Sequence, residues 1–147
     1  MKITEALLAE HVVFHNLFDY VERTLPKLGS LAEVRALSLL LQTMLRIHSK
    51  VEDRLLIDPM EAAFSQMGQA ENFHDEHHEI EQDLKSVQTV RRVAEGKRLL
   101  LRAVVLCRKH FDKEERIVFP MAEKQLSAKS LVVLGKRWEE QRTVPIA

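Results

Sequence analysis

Apolar residues recur along this chain at alternating steps of four and three, the spacing of a narrow seam on one side of a helix. The first run, Leu7, His11, Phe14, Phe18, Val21 and Leu25, predicts a helix over about 4–27, ended by Pro26 and Gly29. Ser30 and Glu33 have the form of a capping box, so a second helix starts there and continues to about Pro59, then onward as a kinked turn. Its seam is Val34, Leu37, Leu41, Met44, His48, Val51 and Leu55, with Glu52 beside it. Gln66-Met67-Gly68-Gln69 reads as a break. A third helix is expected over about 71–94, on Phe73, His77, Ile80, Leu84 and Val87, stopping near Gly96. A fourth follows over about 97–126, with Leu99, Ala103, Leu106, His110, Glu114, Ile117 and Met121 inward and a bend at Pro120. Ser127 and Ser130 cap a short last helix through Leu134 and Trp138, the indole packing over one end of the bundle. No strand pattern competes. The expected fold is all-α, an up-down-up-down four-helix bundle with a short C-terminal fifth helix, in one domain over residues 1–147.

Each of the four seams is interrupted by polar residues, and the interruptions repeat. His48-Ser49-Lys50-Val51-Glu52 on the second helix has a twin in His110-Phe111-Asp112-Lys113-Glu114 on the fourth, and each copy runs on through an arginine and an apolar stretch to Pro-Met. Glu10-His11 on the first helix has a twin in Glu76-His77 on the third. Positions i and i+4 lie one above the other on a helix, so each HxxxE places an imidazole and a carboxylate on one face. A single pair of this kind is a common surface accident. Two copies, each with a lone His on the preceding helix, are not.

Burying Glu52 and Glu114 without partners costs several kcal/mol each, so something must compensate. His11 lies about 16 residues before the first helix ends and His48 about 17 after the second begins, which sets both ~25 Å from their shared turn. For His77 and His110 the corresponding counts are about 17 and about 13. His11, His48, Glu52, His77, His110 and Glu114 are therefore expected at one level of the core. Four imidazoles and two carboxylates suit two divalent or trivalent metals, with the carboxylates bridging; the rival is a buried His–Glu network with no metal. His74, one turn before His77, is a further candidate metal ligand. His78 and His15 are left open, and Cys107 is read as a small buried hydrophobe.

Composition narrows the classes. Hydrophobic residues at 46% exclude disorder, while 5% aromatics and four glycines suit helices. Lys+Arg and Asp+Glu balance at 22 each, against the positive excess that nucleic acid requires. No stretch nears the ~18 apolar residues of a membrane span, and Met1–Glu5 begins a helix instead of a secretion signal. A lone cysteine, Cys107, leaves no internal disulfide and fits a reducing cytoplasm, the expected location.

From Glu10-His11 through Phe119-Pro120 the spaced set resembles the hemerythrin-like, or HHE cation-binding, family. The resemblance implies two iron ions with an oxo or hydroxo bridge, zinc or manganese being the substitutes. It implies His11 as ligand from the first helix, His48 and Glu52 from the second, His77 from the third, and His110 with Glu114 from the fourth, the glutamates bridging. Oxygen-carrying members have two third-helix histidines at HxxxH spacing and an aspartate five residues after the last one, where this chain has a glutamate at i+4 and then Glu115. Fewer protein ligands leave open metal positions that favour chemistry over oxygen storage. The expected function is binding or sensing of O2, NO or iron, with a small diatomic ligand as partner. The alternatives are a di-iron enzyme with ferroxidase, peroxidase or NO-consuming activity, and a structural zinc bundle. No separate acid–base pair is visible, which favours binding over catalysis, and no protein partner is indicated.

Overall fold

A computed structural model describes residues 1–66 and 70–142, apart from the side chains of residues 63, 64, 70–72 and 74. Its helices are α1 (Ile3–Thr24), α2 (Leu31–Glu52), a short α3 (Glu61–Gln66), α4 (Ala70–Ser86), α5 (Val93–Lys113), α6 (Phe119–Gln125) and α7 (Ala128–Arg142). The four long ones, α1, α2, α4 and α5, form the bundle, and α7 lies along α1. Ser30 caps α2 as expected, its hydroxyl accepting from the Glu33 amide at 3.2 Å. Of the expected break over Gln66–Gln69, only the end of α3 at Gln66 falls within the described residues.

Two apolar clusters fill the bundle. One holds Phe14, Leu45, Ile80, Cys107 and Phe111 among others; the second holds Leu7, Val51, Phe73 and Val118, together with Leu131 and Leu134 of α7. On each long helix the seam histidine lies between members of the two clusters: His11 between Leu7 and Phe14, His48 between Leu45 and Val51, His77 between Phe73 and Ile80, His110 between Cys107 and Val118. The polar residues thus form one layer sandwiched by apolar packing, which keeps them at a common depth.

Three details depart from the sequence reading. The third helix ends at Ser86 and the fourth begins at Val93, several residues before the expected boundaries. The connection is pinned to α2: the Arg35 guanidinium donates to the Val90 carbonyl at 2.8 Å and the Gln88 amide to the Arg35 carbonyl at 3.0 Å. Gly96, read as a stop, lies inside α5, where a Cβ would press within 3.3 Å of Val34 Cγ1 and 3.4 Å of Val90 Cγ2. It serves close helix approach, not termination. Beyond the bundle layer, α2 and α5 each relax into a π-helical turn, Asp53–Ile57 and Glu114–Val118, closed by the amides of Asp58 on the Asp53 carbonyl and of Phe119 on the Glu114 carbonyl. The extra residue per turn shifts the register. Ile117, expected inward, is 45% exposed, and Val118 takes the core position. Pro120 sits in the first turn of α6, directly after the π-helical turn.

Candidate metal centre

α1, α2, α4 and α5 deliver His11, His48, His77 and His110 to the layer with every Nε2 turned inward. Glu52 and Glu114 are fully buried between them. The two oxygens of Glu52 serve different partners. Oε2 lies 3.3 Å from His48 Nε2 and 3.8 Å from His11 Nε2, while Oε1 lies 3.4 Å from His77 Nε2. Glu114 Oε1 sits between the other members, 3.1 Å from His110 Nε2 and 3.8 Å from His11 Nε2. His77 Nε2 and His110 Nε2 are 2.7 Å apart. Two nitrogens bound to one ion at right angles and ~2.1 Å would be about 3 Å apart, so this spacing is that of donors converging on a shared point.

The donors fall into two groups, His11, His48 and Glu52 on one side and Glu52, His77, His110 and Glu114 on the other, with Glu52 common to both. The fit to metal rests on what these atoms otherwise lack. His11 Nε2, His48 Nε2 and all four carboxylate oxygens of Glu52 and Glu114 are buried with no hydrogen-bond partner. Buried polar atoms are rarely left so, and six orphans facing one another are satisfied together by cations placed among them.

The outward nitrogens explain why Nε2 is free. His11 Nδ1 lies 3.0 Å from Glu115 Oε1, His48 Nδ1 lies 3.1 Å from Glu10 Oε2, and His110 Nδ1 meets Glu76 Oε2. His77 Nδ1 faces Asp53 Oδ1 at 3.7 Å, in line but beyond a hydrogen bond. A carboxylate on Nδ1 holds the proton there and leaves the Nε2 lone pair for a metal, fixing tautomer and ring orientation together. The arrangement is doubled like the sequence. Glu10 backs His48 as Glu76 backs His110, and Glu115 backs His11 as Asp53 faces His77. Phe111 adds an aromatic floor, stacked on His11 with ring centroids 3.8 Å apart and planes 5° from parallel.

These four acids and Phe111 had no assigned role in the sequence reading. They lie one residue off the seam, about 100° round the helix, and therefore look solvent-facing. The doubled Glu-His of Glu10 and Glu76, and the acid that follows each central glutamate, were the signal available. Among the other histidines, His15 is half-buried, with Nε2 3.3 Å from Glu115 Oε1, and belongs to neither donor group. His78 is exposed, and the His74 side chain lies outside the described residues. Cys107 is buried in the apolar cluster, which pushes its thiol well above the usual range and keeps it protonated.

Charge is shared unequally in the metal-free centre. Burial pushes Glu52 up, but the imidazoles of His11, His48 and His77 outweigh it and hold Glu52 well below the ordinary carboxylate range. Burial and the Glu52 charge raise Glu114 well above that range. Burial lowers His48, yet Glu10 and Glu52 on its two nitrogens overcome this and raise it to about 10. His48 therefore holds a proton at pH 7 that a bound metal must displace, and the raised Glu114 also favours its protonated form over a bound metal. Metal uptake at pH 7 is expected to release protons and to weaken as pH falls. Co²⁺ added to metal-free protein in weak buffer with a pH indicator reads the release directly. Uptake with no acidification would contradict the protonation described here.

A cleft of about 540 Å³ opens between α2 and α4 and reaches His77 and His110, with apolar walls of Leu45, Ile80, Leu84 and Phe111. Lys50 stands at its mouth with Arg46 and Glu81, which pair at 2.8 Å. Among the described residues no helix is long and apolar enough to cross a membrane. Compared with known families, the chain matches the hemerythrin HHE cation binding domain over residues 2–129. No curated protein and no solved structure matches it.

Proposed function

We propose, from the premise that the chain belongs to the hemerythrin HHE cation-binding domain family, that it holds two iron ions and uses them to bind or sense O2, NO or iron itself. The observation that carries the proposal is Glu52, whose two oxygens face separate histidine groups as a bridging carboxylate must. In this reading His11, His48 and Glu52 would hold one ion, and Glu52, His77, His110 and Glu114 the other. Iron bound there would supply one-electron redox chemistry and coordination positions that the protein leaves open. The chain's own residues do the rest: the outer carboxylates orient the imidazoles, and Phe111 stacks on His11.

The cleft that reaches His77 and His110 supports a second reading, a di-iron enzyme with ferroxidase, peroxidase or NO-consuming activity, because it offers a substrate a path to the centre. It speaks against structural zinc, whose sites are closed by four protein ligands. Purified protein from iron-replete cells is expected to contain about two irons per chain, with near-ultraviolet charge-transfer absorption that shifts on adding azide. Reduction under anaerobic conditions followed by O2 titration then separates the readings. A reversible adduct favours binding, and turnover favours the enzyme. Protein that takes up no iron under these conditions refutes both.

A further inference from the structure

The family match stops at residue 129, and α7 runs from Ala128 to Arg142. α7 is nonetheless tied to the centre. Trp138 Nε1 donates to Glu10 Oε1 at 2.7 Å, and the Arg142 guanidinium straddles the same carboxylate, with Nε 3.1 Å from Oε1 and Nη2 2.9 Å from Oε2. Glu10 Oε2 is also the partner of His48 Nδ1. A continuous line of hydrogen bonds thus runs from α7 through Glu10 to an inward-facing imidazole.

Among the described residues the other half has no such clamp from a further helix. Its equivalent carboxylate, Glu76, is met on the protein side by Lys113 Nζ at 3.0 Å and by His110. The Glu76 side chain is 36% exposed against 14% for Glu10. The doubling that governs the inner layer is therefore broken in the layer behind it, and α7 is what breaks it.

We propose that Trp138 and Arg142 are positioning residues for the metal position at His11 and His48, acting through Glu10, so that one of the two metal positions depends on α7 and the other does not. The inference rests on the two-metal reading above. Near the bundle surface a carboxylate has several solvated rotamers open to it, and each rotation away from His48 frees the imidazole to turn its Nε2 out of the centre. Two donors from a packed helix remove those rotamers. The helix itself is seated firmly: Leu131 and Leu134 are buried against the cluster that includes Ile3 and Leu7, and a Cβ on Gly135 would fall 1.9 Å from the Met1 carbonyl oxygen. Backbone contact of this kind sets how far Trp138 and Arg142 can reach.

The test is a Co²⁺ titration of the metal-free full chain, followed by visible absorption, for the parent and for the double variant Trp138→Phe/Arg142→Met. The variant should bind one Co²⁺ equivalent about 10- to 100-fold more weakly, the range for loss of a residue that orients a ligand, and bind the other as the parent does. In a His48→Ala background, where the affected position is already lost, the same double change should do nothing further to the remaining equivalent. Equal weakening of both equivalents, as general loosening would produce, overturns the proposal, and so does unchanged binding of both. Should the double variant not fold, the parent decides. Coupling is reciprocal, so Co²⁺ loading must slow hydrogen exchange at the amides of residues 138–142, and equal rates overturn the proposal. A parent chain that takes up fewer than two Co²⁺ fails the two-metal reading itself, a result distinct from two-equivalent binding that ignores α7.

Discussion

Glu52→Gln is expected to empty the centre of both metals, with affinity falling by more than about 100-fold, while Glu115→Gln, one shell out, costs about 10- to 100-fold. The difference follows from position. Glu52 is the one side chain common to both donor groups, and each of its oxygens serves a different group. An amide is neutral and offers a single acceptor, so it can neither bridge two cations nor offset their charge. Glu115 touches His11 only at Nδ1, and its loss frees a ring without removing a ligand. Metal analysis of variants purified from iron-replete cells, with circular dichroism to show that the helices persist, reads both effects. If Glu52→Gln retains two metals per chain, Glu52 is not the bridge and the two-metal arrangement proposed here is wrong.

Stripping both metals should lower the melting temperature by roughly 16–32 °C. Metal at ~1,000 times its dissociation constant stabilises the folded state by about 4 kcal/mol per site, and each kcal/mol moves the midpoint of a domain this size by roughly 2–4 °C. The direction comes from the orphaned atoms. Without cations, two fully buried carboxylates and the Nε2 atoms of His11 and His48 face one another with their hydration lost and no partner in return. The metal-free fold is expected to survive, because the apolar clusters on either side of the layer do not depend on it. Thermal melts of chelator-treated and reloaded protein measure the gap. Coincident melts would mean that the layer is satisfied without metal, as in the rival network of histidines and glutamates.

The sequence alone determined the helical fold, the four seams and the six inward residues, for a simple physical reason. Helix periodicity is local, and a polar residue on an apolar seam is visible wherever it occurs. The doubling of HxxxE and Glu-His carried the rest, because two copies of a half-bundle must present their polar positions at matching depths. The ends of the third and fourth helices were misplaced where Gly96, read as punctuation, turned out to admit Val34 and Val90 at close range. Ile117 was misplaced because a π-helical turn changes the period within a few residues.

Only the tertiary structure decided what stands behind the histidines. Glu10, Asp53, Glu76 and Glu115 lie beside their own seams, and their partners come from other helices, so their doubling in the sequence does not say what they meet. Trp138, expected to pack over one end of the bundle, does pack against the second apolar cluster and, with Arg142, also donates to Glu10 across more than a hundred residues of chain. Periodicity tells which face of a helix is buried. Which neighbour that face, or its edge, will meet depends on how the helices are brought together, and the chemistry of this centre is set by those meetings.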